Sequence, residues 1–235
     1  MTDSSRNNRR LAEKFIRLLD PSFRQRWEIY DSILKRLTGP VARWLDGGCG
    51  RNVAIEEFPC DITVGIDRYR HPEALHQAPT HLVLGTLENL PFRDSAFTLV
   101  TLNTVAEHLE NPRTACGEIR RVLEPCGHLL IHTTNRFSPL ILLGKLIPDS
   151  LRLWFMRIGF GAQDHDVFRT FHRMNTRKAF RSLEGFEPVE FHAVQDLNWS
   201  NLMIFFCLLA FDVLTRLPGL WRLRTNFVVL LRKKE

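Results

Sequence analysis

Trp44-Leu45-Asp46-Gly47-Gly48-Cys49-Gly50-Arg51-Asn52 is the stretch from which the rest of the chain can be read. An apolar run from Val41 to Leu45 meets an acid and then three glycines within four residues. That order predicts a buried parallel strand, a tight turn, and a helix opening at Asn52. Glycines suit such a turn because they reach backbone conformations that a Cβ blocks, and they let a ligand come close. The helix-start amides beyond the turn suit an anionic group. A carboxylate at the strand end, Asp46, suits a cation or a hydrogen-bond donor instead.

Working outward, residues 61–67 predict a second strand that again ends in an acid, Asp67. Further strands are expected at 81–85, 96–103, 127–133, 186–194 and 226–231, with helices at 53–58, 71–77, 113–123 and 176–183. Strands alternating with helices at this spacing predict an α/β fold. The architecture expected is a Rossmann-like, doubly wound, mostly parallel seven-stranded sheet with helices on both faces. Right-handed crossovers gather the loops after the strand carboxyl ends around one crevice, where ligands bind.

We read residues 1–235 as one domain. Residues 1–8 are expected to fray, and 9–37 to form an N-terminal helical cap broken at Asp20-Pro21. Residues 41–135 are the ligand-binding core. Residues 136–175 are a helical insertion, the expected acceptor lid, and 176–235 complete the sheet with a second apolar insertion at 199–221.

Length and composition bound the reading. The 235 residues are 44% hydrophobic and 25% charged, which excludes wholesale disorder. A formal charge of +6 favours an anionic neighbour such as phosphate, nucleic acid or a membrane surface. The five cysteines form no C-x-x-C pair, so a reduced, cytoplasmic setting is expected rather than a disulfide framework or a zinc site. No secretory signal and no run long enough to span a bilayer are seen.

The two strand-end acids choose the cofactor. A dinucleotide site would show Gly-x-Gly-x-x-Gly with pyrophosphate at the helix start. Here an acid stands directly ahead of the glycines, and a carboxylate repels pyrophosphate but attracts ammonium. Asp67 follows Gly48 at about the 20-residue spacing at which a second-strand acid reaches ribose hydroxyls. S-adenosylmethionine carries an ammonium, a sulfonium and a ribose, and fits this layout better than NAD.

Longer segments then carry a family resemblance. Leu45-Asp46-Gly47-Gly48-Cys49-Gly50 resembles the first motif of class I S-adenosylmethionine-dependent methyltransferases, especially the ubiquinone/menaquinone biosynthesis type. Val64-Gly65-Ile66-Asp67, Gly85-Thr86-Leu87-Glu88-Asn89-Leu90-Pro91-Phe92, Asn103-Thr104-Val105-Ala106-Glu107-His108-Leu109 and Arg120-Arg121-Val122-Leu123-Glu124-Pro125-Cys126-Gly127-His128 are similar to the family's later motifs. Asn52 stands where the family has a third glycine, and Thr86 where it has an acid. The resemblance implies cofactor contacts from Asp46, Gly47, Gly48, Cys49, Gly50, Asp67, Arg68, Thr86, Leu87, Glu88 and Asn103. S-adenosylhomocysteine would be the product.

Glu107 and His108, just past the fourth strand, are the catalytic candidates; His108 could take a proton from an attacking hydroxyl, or the pair could simply cap a helix. His132, Asn135 and His172 are the substrate-binding candidates, although His132 also reads as a hydrogen-bonded core-edge residue. Arg169, His172, Arg173, Arg177, Lys178 and Arg181 form a basic run, either a solvated helix face or a site for an acidic substrate group. Asp164-His165-Asp166 reads as a solvated loop, and no metal site is expected. The greasy stretches 140–158 and 199–221, with basic flanks, are lid and core helices or points of peripheral membrane contact.

The expected reaction is in-line methyl transfer to an oxygen, or an activated carbon, of a small, lipid-linked or sugar-linked acceptor. Nucleic acid is disfavoured, since no Asn/Asp-Pro-Pro-Tyr stretch follows the fourth strand. An RNA-directed enzyme and a catalytically silent partner-binding module are the alternatives.

Overall fold

β1 (Gly39–Gly47), β2 (Cys60–Asp67), β3 (His81–Leu84), β4 (Phe97–Asn103), β5 (Leu123–Thr134), β6 (Phe186–Val194) and β7 (Asn226–Lys233) form one sheet. The strand order is β3-β2-β1-β4-β5-β7-β6. β1 pairs in parallel with β2 and with β4, β2 with β3, and β4 with β5. The order reverses at β1, so the crevice at its carboxyl end lies beside the glycine turn. The computed structural model describes residues 3–50, 58, 60–69, 81–146, 169–198 and 201–235, with the side chains of 3–6 and 145–146 excepted. The helices expected over 53–58 and 71–77 and the Asp164-His165-Asp166 segment lie wholly or almost wholly outside these residues.

The described chain divides into two compact units. One comprises 30–134, 169–192 and 227–235 and holds the sheet; the other draws on 1–29, 135–168 and 193–226. In the sheet unit, Leu99, Val100, Leu102, Leu129, Leu130 and Ile131 are all buried. A strand covered on both faces needs no polar alternation, which is why β4 and the second half of β5 read as continuous apolar runs.

Helices α1 (Asp3–Leu19), α2 (Arg26–Leu37), α3 (Pro112–Val122), α4 (Pro139–Leu146), α5 (Arg177–Arg181) and α6 (Leu202–Thr215) are described. Residues 3–8, expected to fray, are the first turns of α1. In α1, Ala12 and Ile16 share a buried cluster with Leu197, Phe205 and Leu209. Phe15 also meets Phe205 and Phe206 edge-on. The helix was legible, but the one it packs against lies almost 200 residues away in the sequence and left no local signal.

β5 begins four residues earlier than expected, because the chain leaves α3 directly into the strand, with an irregular pairing between Phe97 and Leu99. The basic run is not one helix face either. Only 177–181 is helical, capped by Thr176, whose hydroxyl accepts from the Ala179 amide at 3.1 Å. The loop after β3 is tied to α3: Arg121 donates to the carbonyls of Leu90 and Phe92, and Glu118 accepts from the Leu90 amide.

Candidate active site

β1 delivers Asp46 to the sheet's carboxyl edge, buried at 2% exposure. Thr101, its register partner on β4, donates its hydroxyl to Asp46 Oδ1 at 2.6 Å and accepts from Trp44 Nε1 at 2.8 Å. Both side chains are therefore locked. The same burial, with the Asp46 charge nearby, holds the Tyr30 phenol well above its usual pKa.

The turn that follows is left-handed at Gly48 (φ +68°) and again at Gly50 (φ +53°). Ile66 O accepts from the amides of Gly48 and Cys49 at 2.7 and 3.2 Å, which draws the turn onto β2. A Cβ on Gly48 would fall 2.5 Å from Val105 Cγ2. On Gly50 it would meet none of the described residues within 4 Å. Asp67, at the end of β2, accepts from Gly50 N at 2.9 Å through Oδ2 and from Tyr69 N at 2.9 Å through Oδ1. Burial, with Asp46 and Asp67 beside it, pushes the Cys49 thiol up to about 12.

Arg68 and Glu88 form a 3.0 Å ion pair beyond β2 and β3. Thr86 turns the chain, its carbonyl accepting from Asn89 N. Leu87 is buried, and its Cδ2 lies where a Cβ on Gly47 would come to 2.9 Å. Thus Asp46, Gly47, Gly48, Cys49, Gly50, Asp67, Thr86, Leu87, Glu88, Arg68 and Asn103 all lie at or just beyond the carboxyl ends of β1, β2, β3 and β4.

On the other flank, Asn103 Oδ1 and His132 Nδ1 lie 2.7 Å apart, so an N–H on Nδ1 is the donor. His132 is buried, as its core-edge reading requires. Thr104 follows in a left-handed conformation (φ +59°), unusual for a β-branched residue. The 3-10 turn Ala106–His108 comes next. His108 Nδ1 is 2.9 Å from Arg169 O, which fixes the proton on Nδ1 and makes Nε2 the basic nitrogen.

Glu107 differs from its catalytic reading. It is 4% exposed and faces the core, accepting from the Thr133 hydroxyl at 2.7 Å. Burial holds its carboxyl above the usual pKa, opposed by that hydrogen bond. Asn175 donates to Thr133 Oγ1 and to Thr134 O. Glu107 O in turn accepts from the amides of Phe171 and His172 at 2.8 and 3.1 Å. Residues 169–175 are thereby strapped to the Ala106–His108 turn. His172 is buried within the strap, not on a solvated face. Arg169 and Arg173 both stack over Phe171, at 5.0 and 5.4 Å from its ring centre.

Asn135 belongs to the other unit, where its side chain is committed to backbone. Nδ2 donates to Arg222 O and Arg224 O, and Oδ1 accepts from Phe137 N. Those bonds make it a clamp on the backbone at Phe137, Arg222 and Arg224. Among the described residues, no group of three or more His, Cys, Asp or Glu side chains is placed to hold a metal ion.

Thr101, Val105, Thr133 and Asn175 buttress these candidate residues without having been anticipated. Thr101 had a signal, a polar residue inside a buried apolar strand. Asn175 had none, because its partners lie about 40 residues away.

This sheet order, with an acid-glycine turn after β1 and an acid closing β2, defines the class I methyltransferase fold. Residues 45–131 match the family model described as a methyltransferase domain. An uncharacterised protein of Methanocaldococcus jannaschii is 29% identical over 140 residues, covering 58% of this chain and 66% of that protein. A demethylmenaquinone methyltransferase of Chlamydia trachomatis is 35% identical over 80 residues, 33% of each chain. The match thus spans from a third to just under two thirds of these relatives' length. The crystal structure of an S-adenosylmethionine-dependent methyltransferase from Mesorhizobium loti superposes with a TM-score of 0.57 at 17% identity, covering 88% of this chain and 97% of that one.

Proposed function

We propose that this chain is an S-adenosylmethionine-dependent methyltransferase whose acceptor is a small, lipid-linked or sugar-linked molecule, methylated on oxygen or an activated carbon. The observation that carries the reading is the doubly left-handed turn held to Asp67. With both Asp67 oxygens at the β2 end beside Gly50, the turn fits a ribose. Each oxygen takes one backbone N–H and retains a lone pair for a hydroxyl. Asp46, ahead of the glycines, suits an ammonium and disfavours a pyrophosphate.

When bound, the cofactor supplies a methyl group activated by a sulfonium. The chain's own residues position the partners, which is the principal requirement of an in-line displacement. We assign His108 Nε2 the role of accepting a proton from an acceptor hydroxyl. Glu107 acts through positioning, by holding the strap and the turn together. Arg169 and Arg173 on Phe171 supply positive charge for an acidic group on the acceptor.

Calorimetry with S-adenosylmethionine and S-adenosylhomocysteine tests the cofactor reading. Binding at micromolar concentration is expected, and no heat at about 1 mM ligand would remove it. Labelled methyl transfer into a lysate fractionated into lipid, glycan, RNA and small-molecule pools tests the acceptor. Label confined to RNA would overturn the small-acceptor reading.

A further inference from the structure

α6 is apolar where it meets the core and apolar where it does not. Phe205 and Leu209 are buried, and the acid within the helix, Asp212, is buried in ion pairs with Arg216 at 2.7 Å and Arg224 at 3.2 Å. The opposite face is exposed and carries Met203, Phe206, Cys207, Val213, Leu214 and Leu217, with Ala210 in the middle turn. Spacings of three and four residues put these on one stripe along the whole helix. A water-facing helix surface ordinarily carries polar residues at such positions, and Met203 is 73% exposed.

α1 extends the stripe. Leu11, Phe15 and Leu18 follow at i, i+4 and i+7, all exposed, Leu18 at 82%. The Phe15 and Phe206 rings, 5.3 Å apart, join the two helices' apolar surfaces. Beside that row runs a second one at the same spacing: Arg10, Lys14 and Arg17, also exposed. One acid of α1, Glu13, is paired with Arg9 at 2.8 Å.

An apolar row flanked by an unbroken basic row is what a helix lying in a lipid headgroup layer requires. The apolar side chains enter the acyl boundary while the cations meet anionic headgroups. The helix lies on the bilayer and does not cross it. α6 has 14 residues, so it is about 21 Å long, against an apolar core of about 30 Å.

We infer that the paired α1/α6 face docks this protein on the surface of a membrane containing anionic lipids. The inference does not depend on the methyl-transfer reading, and its test measures binding alone. Full-length protein is sedimented with phosphatidylcholine vesicles containing phosphatidylglycerol and with pure phosphatidylcholine vesicles. Binding to the anionic vesicles is expected, weaker on neutral ones and reduced by salt.

Cys207 and Cys126 are both exposed thiols. Anionic vesicles should slow labelling of Cys207 by a water-soluble maleimide. Phe206→Glu with Leu214→Glu should weaken vesicle binding about tenfold or more. Arg10→Glu with Lys14→Glu should abolish the preference for anionic lipid, and these exposed side chains can change without touching the core. No sedimentation at about 1 mM lipid, or equal binding by the charge-reversed variant, would overturn the inference. So would light scattering that shows a dimer which Phe206→Glu converts to monomer, since the face would then be a contact between copies.

Discussion

Val105 stands where a side chain on Gly48 would have to go: a Cβ there would lie 2.5 Å from Val105 Cγ2. Gly48 also holds a φ of +68°, so an alanine meets steric and conformational penalties together. Gly48→Ala should lower stability by about 1–3 kcal/mol and abolish S-adenosylmethionine binding. Combining it with Val105→Ala should restore part of the stability, because the clash is relieved while the backbone strain remains. Thermal unfolding and calorimetry on the two variants separate these contributions.

Asp67→Ala removes an acceptor from two backbone amides, those of Gly50 and Tyr69. The turn loses its tether at Gly50 while Gly48 and Cys49 stay bonded to Ile66 O, and a bound ribose would lose its carboxylate. Cofactor affinity should fall by at least about tenfold, with a stability loss of about 1–3 kcal/mol. A variant whose calorimetric affinity matches the parent would remove Asp67 from the site.

Glu107 links stability to pH. Its carboxyl is held above the ordinary value by burial, so between the unfolded pKa, about 4.3, and the raised native one the folded state binds more protons than the unfolded. Stability from this group is present at low pH and lost as pH rises through that window. Glu107→Gln keeps an acceptor for the Thr133 hydroxyl without the charge, and should flatten that part of the profile. Denaturant melts between pH 4 and 8 check it, and an unchanged slope would refute it.

His108→Ala and His108→Asn should lower turnover by roughly a hundredfold or more while leaving the cofactor affinity of the protein unchanged. A parallel loss of cofactor binding would instead mark His108 as part of the donor site.

In the other unit, Asp212→Ala strips Arg216 and Arg224 of their shared carboxylate, leaving cations beside a buried position. The expected cost is about 1–3 kcal/mol, because both guanidinium groups reach solvent and Arg216 keeps Asp20. Because Arg216 also pairs with Asp20 at 2.8 Å, the loop after α1 should become susceptible to limited proteolysis in the same variant.

The chain declares its sheet and its cofactor edge through short-range patterns. Apolar runs ending at Asp46 and Asp67 mark strands that finish at one edge, and glycines at 48 and 50 mark a turn that needs positive φ. What stayed hidden depends on distant partners. The inward turn of Glu107 is set by Thr133 and Asn175, the burial of His172 by two amide bonds to Glu107 O, and the service of Asn135 to a loop by Arg222 and Arg224. Nothing near any of these residues in the sequence distinguishes a ligand contact from a scaffold contact. α1 shows the same limit, since its periodicity predicts a helix but cannot name Phe205 as its neighbour.

The bond from Trp44 through Thr101 to Asp46 gives the protein an optical reporter of its own. An indole whose N–H is tied, through one hydroxyl, to the carboxylate expected to meet a ligand's ammonium will change its emission when that carboxylate is engaged. Among the described tryptophans Trp44 alone sits in this chain of bonds, so fluorescence of a protein keeping Trp44 and carrying phenylalanine at the other four positions would follow occupancy of the pocket without any label.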